Sequence, residues 1–456
     1  MSSKLKKTAL SGVLLAVVAV VAAVTGGALA GEADPAGEFL KPLAQGRGAY
    51  AQVVAKLAAA AAGADEAARK AAAEAVERLG PQDAELAPFL AAQLGDARPE
   101  IRRMAFDGLR RVPSGELGVL QALVNRTRDA DAENRAMAAR ALTAAGPSAK
   151  ASLQVLAGML SDADGRVRSA AAEAIGNLRA EARPALQLVA NLMADKDPAV
   201  RRAAVRALGA AGDPAAMAVI LQFAQGAKED ADLEAAYAAF LEMGPAAAPA
   251  RDQLRKLVYD RREKWALLDV KGLGALARMT GQADPYAKDL ATMLKDGEKG
   301  LTAAEMLARA PAAAAGVEAQ LVEGLKDKSI APLCARILGR VGSASRAGGA
   351  PTGKNLVPPL VALLDSDDDA ASAAALRALG DIGDMASAPE VVKRADKFGD
   401  TSQIWLQYAL TRLKQEPGKA MSRLRVMGED PWKLRRLAQQ VLQYLEAGGR
   451  GEAGDE

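Results

Sequence analysis

The sequence predicts an all-α fold, a right-handed α-solenoid of stacked antiparallel helix pairs. Two columns of mainly apolar residues recur with a period of 33, and each period holds two helical stretches separated by turn residues. Aromatic residues are only 3% of the chain, so alanine and leucine must supply most of the core. The columns are Leu109, Leu142, Ile175, Leu208, Leu241 and Ile101, Asn134, Val167, Val200, Leu233.

Residues 1–30 have the pattern of a secretory signal peptide. Three lysines precede an uncharged, mostly apolar run over residues 9–24, and small residues at Ala28 to Ala30 offer a cleavage site. The run is shorter than the about 20 residues that a spanning helix needs. We therefore expect a periplasmic or secreted chain that begins near Gly31. The alternative is an inner-membrane anchor formed by residues 9–24.

Export changes the charge balance. The whole chain has 59 Lys and Arg against 56 Asp and Glu, and loss of the three N-terminal lysines leaves 56 of each. A chain without net charge has no general attraction to nucleic acid or anionic lipid. We predict a protein partner, no nucleic acid, membrane contact only through an uncleaved signal peptide, and a monomer.

The mature chain divides into a lead-in segment (31–48), a solenoid (49–447) and a disordered tail (448–456). The solenoid is most regular over 95–244, and a Gly- and Ser-rich stretch at 342–355 predicts a flexible insertion.

One repeat illustrates the local signals. Asp197 can cap a helix that Pro198 starts, because the N–H that proline lacks is unbonded in a first turn. Leu208 falls on the apolar face of that helix, and Gly209 and Gly212 offer a stop before the next helix.

These segments resemble a known repeat family. Residues 96–102, 162–168 and 195–201 are similar to HEAT repeats of the short bacterial, phycobilisome-lyase-like kind, and the pattern returns at 366–380. The resemblance implies ten or eleven helix pairs, each packed on its neighbours. It leaves function open, because such repeats serve unrelated roles.

An Asp column and an Arg column recur six residues apart in successive repeats. In repeats of this kind such residues bond across the loop and to the next repeat, so we expect a structural ladder; an exposed binding strip is the alternative. The columns are Asp96, Asp129, Asp162, Asp195 and Arg102, Arg135, Arg168, Arg201.

Histidine is absent from all 456 residues. Its absence excludes Ser-His-Asp and Cys-His pairs, His-ligated metals and the usual general base near neutral pH. It also excludes the chemistry of deoxyhypusine hydroxylases, HEAT-repeat enzymes whose iron is held by His-Glu pairs. The single cysteine, Cys334, has the helical spacing of a buried apolar residue. We predict no catalytic residue, no cofactor and no metal.

Three surfaces are candidates for binding a partner. The first is the concave face of the second helices; a solvated face without a partner is its alternative. The second is the aromatic and basic run that contains Tyr259 and Trp265, which a repeat junction would also explain. The third is the C-terminal unit with Trp405 and Trp432, which capping of the stack would also explain. The concave candidates are Arg103, Asp107, Arg140, Glu173, Arg202 and Arg206.

The leading hypothesis is an exported, non-catalytic HEAT-repeat scaffold that binds another protein through its concave surface. One alternative is a structural spacer of the cell envelope without a discrete binding face. A phycobilisome-lyase-like chromophore attachment factor is a further alternative, against which export argues.

Overall fold

The computed structural model describes residues 34–447, except 46, 113, 144–151, 261–266, 281–284, 348–351, 416 and 430–434. The predicted signal peptide and tail lie outside this range. Within the described residues, every regular element is an α-helix or a 3-10 helix, and the α-helices stack as antiparallel pairs. The prediction of an all-α solenoid is confirmed.

A short helix, α1 (Pro35–Leu40), precedes twelve helix pairs in the described part of the chain, against the ten or eleven expected. The first helices of the pairs are α2 (Arg47–Ala61), α4 (Ala87–Gln93), α6 (Leu117–Arg126), α8 (Leu153–Met159), α10 (Leu186–Asn191), α12 (Met217–Gln225), α14 (Arg251–Tyr259), α16 (Pro285–Thr292), α18 (Glu318–Gly324), α20 (Thr352–Leu363), α22 (Ala388–Lys393) and α24 (Pro417–Glu429). The second helices are α3 (Glu66–Glu77), α5 (Pro99–Arg111), α7 (Ala132–Leu142), α9 (Gly165–Asn177), α11 (Pro198–Ala211), α13 (Asp230–Met243), α15 (Leu267–Thr280), α17 (Gly297–Arg309), α19 (Ala331–Ala347), α21 (Asp369–Ile382), α23 (Asp400–Arg412) and α25 (Arg435–Glu446).

Aspartate caps begin the regular second helices. The side chains of Asp131, Asp164, Asp197 and Asp368 each accept a hydrogen bond, of 2.8 to 3.0 Å, from the backbone N–H two residues later. These bonds satisfy N–H groups that the first turn leaves unpaired, and the carboxylates face the positive end of the helix dipole. Gly212, with φ of 68°, ends α11 as predicted.

Both apolar columns lie in the core. Leu109, Leu142, Ile175, Leu208 and Leu241 are at most 2% exposed. The second column is buried too, and its one polar member, Asn134, accepts a 3.3 Å hydrogen bond from Arg102. The period of 33 therefore corresponds to one helix pair.

The Asp and Arg columns form the predicted ladder between repeats. Arg135 makes two 2.8 Å hydrogen bonds to Asp162, and Arg168 makes bonds of 2.7 and 2.8 Å to Asp195. Each arginine also donates to backbone carbonyls of the loop that precedes its own helix. Arg102 differs because it donates to Asn134 and not to Asp129, and Arg201 donates only to backbone carbonyls of the loop before its own helix.

Successive second helices approach more closely than successive first helices. A Cβ atom placed on Gly209 would lie 2.3 Å from Ala239 Cα, and one on Gly176 would lie 2.6 Å from Ala207 Cα. Gly209 is therefore a contact residue inside α11, not the helix stop that the sequence suggested. Because the stack is shorter along its second helices, it curves toward them, and they line its concave side.

Three further sequence expectations concern the lead-in segment, the predicted insertion and Cys334. The lead-in is partly helical and packed, since α1 buries Ala36 and Leu40. The predicted insertion at 342–355 is mostly helical, because α19 continues to Ala347 and Gly342 packs against Ile382. Only residues 348–351 of it lie outside the described range. Cys334 is fully buried, which raises its pKa to about 12 and leaves it a core residue.

The close approach of α11 to α13 predicts opposite effects at two glycines. Gly209→Ala should destabilise the protein by about 1–3 kcal/mol or more, because its methyl group meets backbone. Gly118→Ala, in α6 with nothing within 4 Å, should be neutral or stabilise by up to about 1 kcal/mol. Urea unfolding followed by circular dichroism measures both. Equal effects would contradict the close packing.

The ladder predicts a pH-dependent contribution from Asp195. The hydrogen bonds from Arg168 hold the pKa of Asp195 below its usual value, so the stabilisation is present above about pH 4 and is lost as the pH falls. Asp195→Asn should cost about 1–3 kcal/mol at pH 7, because the pair is only 8% and 9% exposed. The difference in urea midpoint from the natural protein should shrink toward pH 3; a constant difference would contradict the ion pair.

Candidate binding surface on the second helices

Four of the predicted concave residues occupy one position in successive repeats. Asp107, Arg140, Glu173 and Arg206 lie 33 residues apart in α5, α7, α9 and α11. All four are half-buried or exposed, while their helical neighbours toward the first helices are buried. The stack therefore places them in a single row on the concave side.

Glu173 lies between two arginines of the row. Its carboxylate is 3.7 Å from Arg140 and 3.7 Å from Arg206, so three successive repeats are joined. These side chains are 37% to 47% exposed, and exposed pairs contribute only about 0 to 1 kcal/mol each. We refer to Arg140, Glu173 and Arg206 as the concave row. The charges of the concave row offset one another. A ligand that replaced one of these ion pairs would cost the protein little free energy.

The other two concave candidates differ in their surroundings. Arg202 bonds to Glu229 at 3.1 Å and to Asp232 at 3.2 Å, so it is mainly a link to the next repeat. Arg103 is exposed and makes no salt bridge among the described residues. Burial raises the pKa of Asp107, and the nearby charges of Arg110 and Arg103 oppose that rise.

Tyr259 lies away from the concave row, on first helix α14. Its hydroxyl donates a 2.6 Å hydrogen bond to Asp289 in α16, and its ring packs against Tyr286 with centroids 6.2 Å apart. Tyr259 therefore links two neighbouring first helices, as a repeat junction would. Trp265, the second member of this candidate surface, lies outside the described residues.

Trp405 is a packing residue, which corrects its assignment to an exposed binding surface. It is 6% exposed, lies edge-on to Tyr408 with centroids 5.3 Å apart, and has the guanidinium of Arg377 4.7 Å from its ring centroid. Tyr408 packs in turn against Tyr444 of the last helix. These three aromatic rings therefore pack together between α23 and α25. Trp432 lies outside the described residues.

A second set of links, which the repeat pattern did not predict, lies at the C-terminal ends of the second helices. In five places an arginine donates to a backbone carbonyl near the end of a neighbouring second helix, where carbonyls lack partners and the dipole is negative. At four of the five places, the signal available in the sequence was an arginine in the last helical turn or just after it. The bonds are Arg111 to Glu77, Arg179 to Ala210, Arg278 to Arg309, Arg340 to Ala308 and Arg412 to Gly380.

Glu242 joins repeats that are not neighbours. Arg179, just after α9, is 3.9 Å from Glu242 in α13, and Arg309 in α17 also pairs with it. Each pair passes over an intervening second helix. Such contacts require the C-terminal ends of alternate second helices to lie close together. This agrees with a stack that curves toward its second helices.

No group of three or more Cys, Asp or Glu side chains among the described residues could hold a metal ion. The acidic run at 365–369 is used structurally, since Asp365 pairs with Arg394 and Asp368 caps α21. None of the described helices combines the length and the apolar character that crossing a membrane requires.

Comparison with known proteins fits this geometry. A family profile of HEAT repeats matches residues 120–190 and 155–242. This part of the chain consists of HEAT repeats. The profile lies within the most regular stretch of the solenoid. It supports the HEAT family but does not support the phycobilisome-lyase-like subtype in particular. No match is found among curated protein sequences.

The solved structures to which this chain is similar are distant from it in sequence. Kap121p bound to Ste12p is 13% identical, covering 88% of this chain and 49% of that one, with a TM-score of 0.40. Importin beta is 14% identical, covering 88% and 70%, with a TM-score of 0.39. Human deoxyhypusine hydroxylase is 19% identical, covering 65% and 96%, with a TM-score of 0.25. The chain spans about half the length of the Kap121p structure.

The exposure of the concave row predicts that it contributes little to stability. Glu173→Gln should change the free energy of unfolding by less than about 1 kcal/mol, because solvent screens both of its ion pairs. Asp195→Asn, in a buried pair, is the matched comparison. If urea unfolding finds Glu173→Gln as costly as Asp195→Asn, the row belongs to the structural framework.

Proposed function

We propose that this protein is an exported, non-catalytic HEAT-repeat scaffold that binds another protein along its concave surface. The observation that carries the proposal is the concave row, which gathers side chains of three repeats onto one surface without committing them to the core. Exposed Arg103 extends the same surface toward the N-terminal end.

A structural spacer is the second candidate. The observation in its favour is that Glu173 already neutralises Arg140 and Arg206, so the row needs no partner for its charges. A chromophore-attaching role has only the sequence resemblance in its favour.

A cross-linking experiment separates scaffold from spacer. A photo-reactive amino acid placed at Glu173 on the concave side should cross-link a specific protein in an envelope extract. The same amino acid at Leu188, exposed on first helix α10, is the matched control. Cross-links that are equal at both positions, or absent from both, would favour the spacer.

Charge reversal tests the same proposal without a cross-linker. Arg103→Glu combined with Arg206→Glu should weaken capture of the cross-linked partner by about tenfold or more, roughly 1.4 kcal/mol, because recognition depends on local charge complementarity. Helical circular dichroism should be unchanged. Normal binding by this double variant would move the site away from the concave surface.

The export proposal has its own test. Mass spectrometry of the natural protein, purified from the periplasm or the medium, should find a chain that begins at Gly31, since the pattern before it is that of a cleaved signal peptide. Recovery of residues 1–24 in the membrane fraction would replace secretion with anchoring.

A further inference from the structure

Glu242 forms ion pairs with two arginines, and neither belongs to a neighbouring second helix. Arg179, just after α9, lies 3.9 Å from the Glu242 carboxylate, and Arg309 of α17 also pairs with it. Because Glu242 lies near the end of α13, each pair passes over one intervening second helix. We call Arg179, Glu242 and Arg309 the clasp.

The clasp belongs to a chain of contacts over five second helices. Arg179 also donates a 3.0 Å hydrogen bond to the Ala210 carbonyl of α11, and Arg278 of α15 donates a 3.1 Å bond to the Arg309 carbonyl of α17. Each second helix from α9 to α17 therefore contributes a residue at or near its C-terminal end.

The backbone of Arg179 has an uncommon conformation. Its φ is 54°, in the left-handed region that residues other than glycine seldom adopt. Such a conformation persists where the surrounding contacts determine it. The bond from Arg179 to the Ala210 carbonyl is one such contact, and it holds this arginine on the side of Glu242.

The positions of these pairs make them sensitive to bending of the stack. Each repeat of a solenoid contacts mainly its neighbours, so small rotations between neighbours add along the stack. When the concave side opens, second neighbours separate by two such movements, whereas neighbours separate by one. Glu173 of the concave row pairs with neighbouring second helices only. The pairs of Glu242 therefore break at a smaller opening than those of Glu173.

Solvent reaches all three residues of the clasp. The side chain of Glu242 is 31% exposed, that of Arg309 43% and that of Arg179 66%. Ion pairs with this exposure weaken as salt screens their charges. The clasp is therefore an interaction that changing conditions can release without unfolding a repeat.

We propose that the clasp is an electrostatic device that holds the central repeats in a strongly curved state and releases them when its ion pairs are broken. The spacing of side chains on the concave side then depends on ionic strength and on any charge that competes for Glu242. The curved and released states share the same helix pairs and differ in small rotations between them. This curvature does not depend on whether the concave surface binds a protein.

The test measures the distance between α9 and α17 in the full mature chain. Asn177→Cys and Glu305→Cys place spin labels at exposed positions of these helices, and burial protects Cys334 from the label. Pulsed electron paramagnetic resonance gives the distribution of distances between the labels. Glu242→Gln should shift it to longer distances by several ångströms, because both ion pairs are lost while the side chain keeps its shape. An unchanged distribution would overturn the proposal.

Glu173→Gln is the matched control. It also removes two ion pairs of one partly exposed glutamate on the concave side, but those pairs join neighbouring second helices. The distance between the labels should therefore stay as in the natural sequence. A shift as large as that of Glu242→Gln would mean that loss of any such ion pair opens the stack, and would overturn the clasp.

Salt provides a second test. Between about 0.1 M and about 1 M salt the Debye length falls from about 10 Å to about 3 Å. The distance should lengthen over this range in the natural sequence, whereas Glu242→Gln, already released, should respond little. An equal response of the two proteins would assign the salt effect to other charges and overturn the proposal.

A variant at Arg179 separates curvature from stability. Glycine adopts the left-handed conformation of this position without strain, while loss of the side chain removes one arm of the clasp. Arg179→Gly should lengthen the distance by less than Glu242→Gln does, with a urea midpoint close to that of the natural sequence. A distance that Arg179→Gly leaves unchanged would overturn a clasp that extends from α9 to α17.

Discussion

Successive second helices of this chain can approach closely because glycine and alanine lie where they touch. At Gly209 and Gly176 even one methyl group would meet the backbone of the next second helix. The first helices lie farther apart, so the stack bends toward the second helices. Curvature, the position of the concave row and the convergence of Arg179 and Arg309 on Glu242 all depend on this close approach.

Electrostatics reinforces the stack at both ends of the second helices. Before their N-terminal ends one aspartate caps the helix, as Asp197 does, and another receives an arginine from the preceding repeat, as Asp195 receives Arg168. At their C-terminal ends arginines donate to unpaired carbonyls. Both arrangements place charge where the helix dipole favours it.

The C-terminal repeats place aromatic side chains in the same framework of stacked helices. Trp405, Tyr408 and Tyr444 pack their rings together between α23 and α25. Placing these rings also brings Arg377 under Trp405 and Asp381 against Tyr408.

The sequence by itself determined the helix pair, its period, the aspartate caps, the ladder and the buried columns, because each depends on one repeat or on its immediate neighbour. It also excluded histidine chemistry outright. Only the tertiary structure decided that Gly209 is a contact and not a stop, that α19 continues to Ala347, that Trp405 is buried, and that Glu242 bridges repeats two apart. These features depend on how closely whole helices approach and on curvature summed over several repeats, which a pattern of 33 residues does not contain.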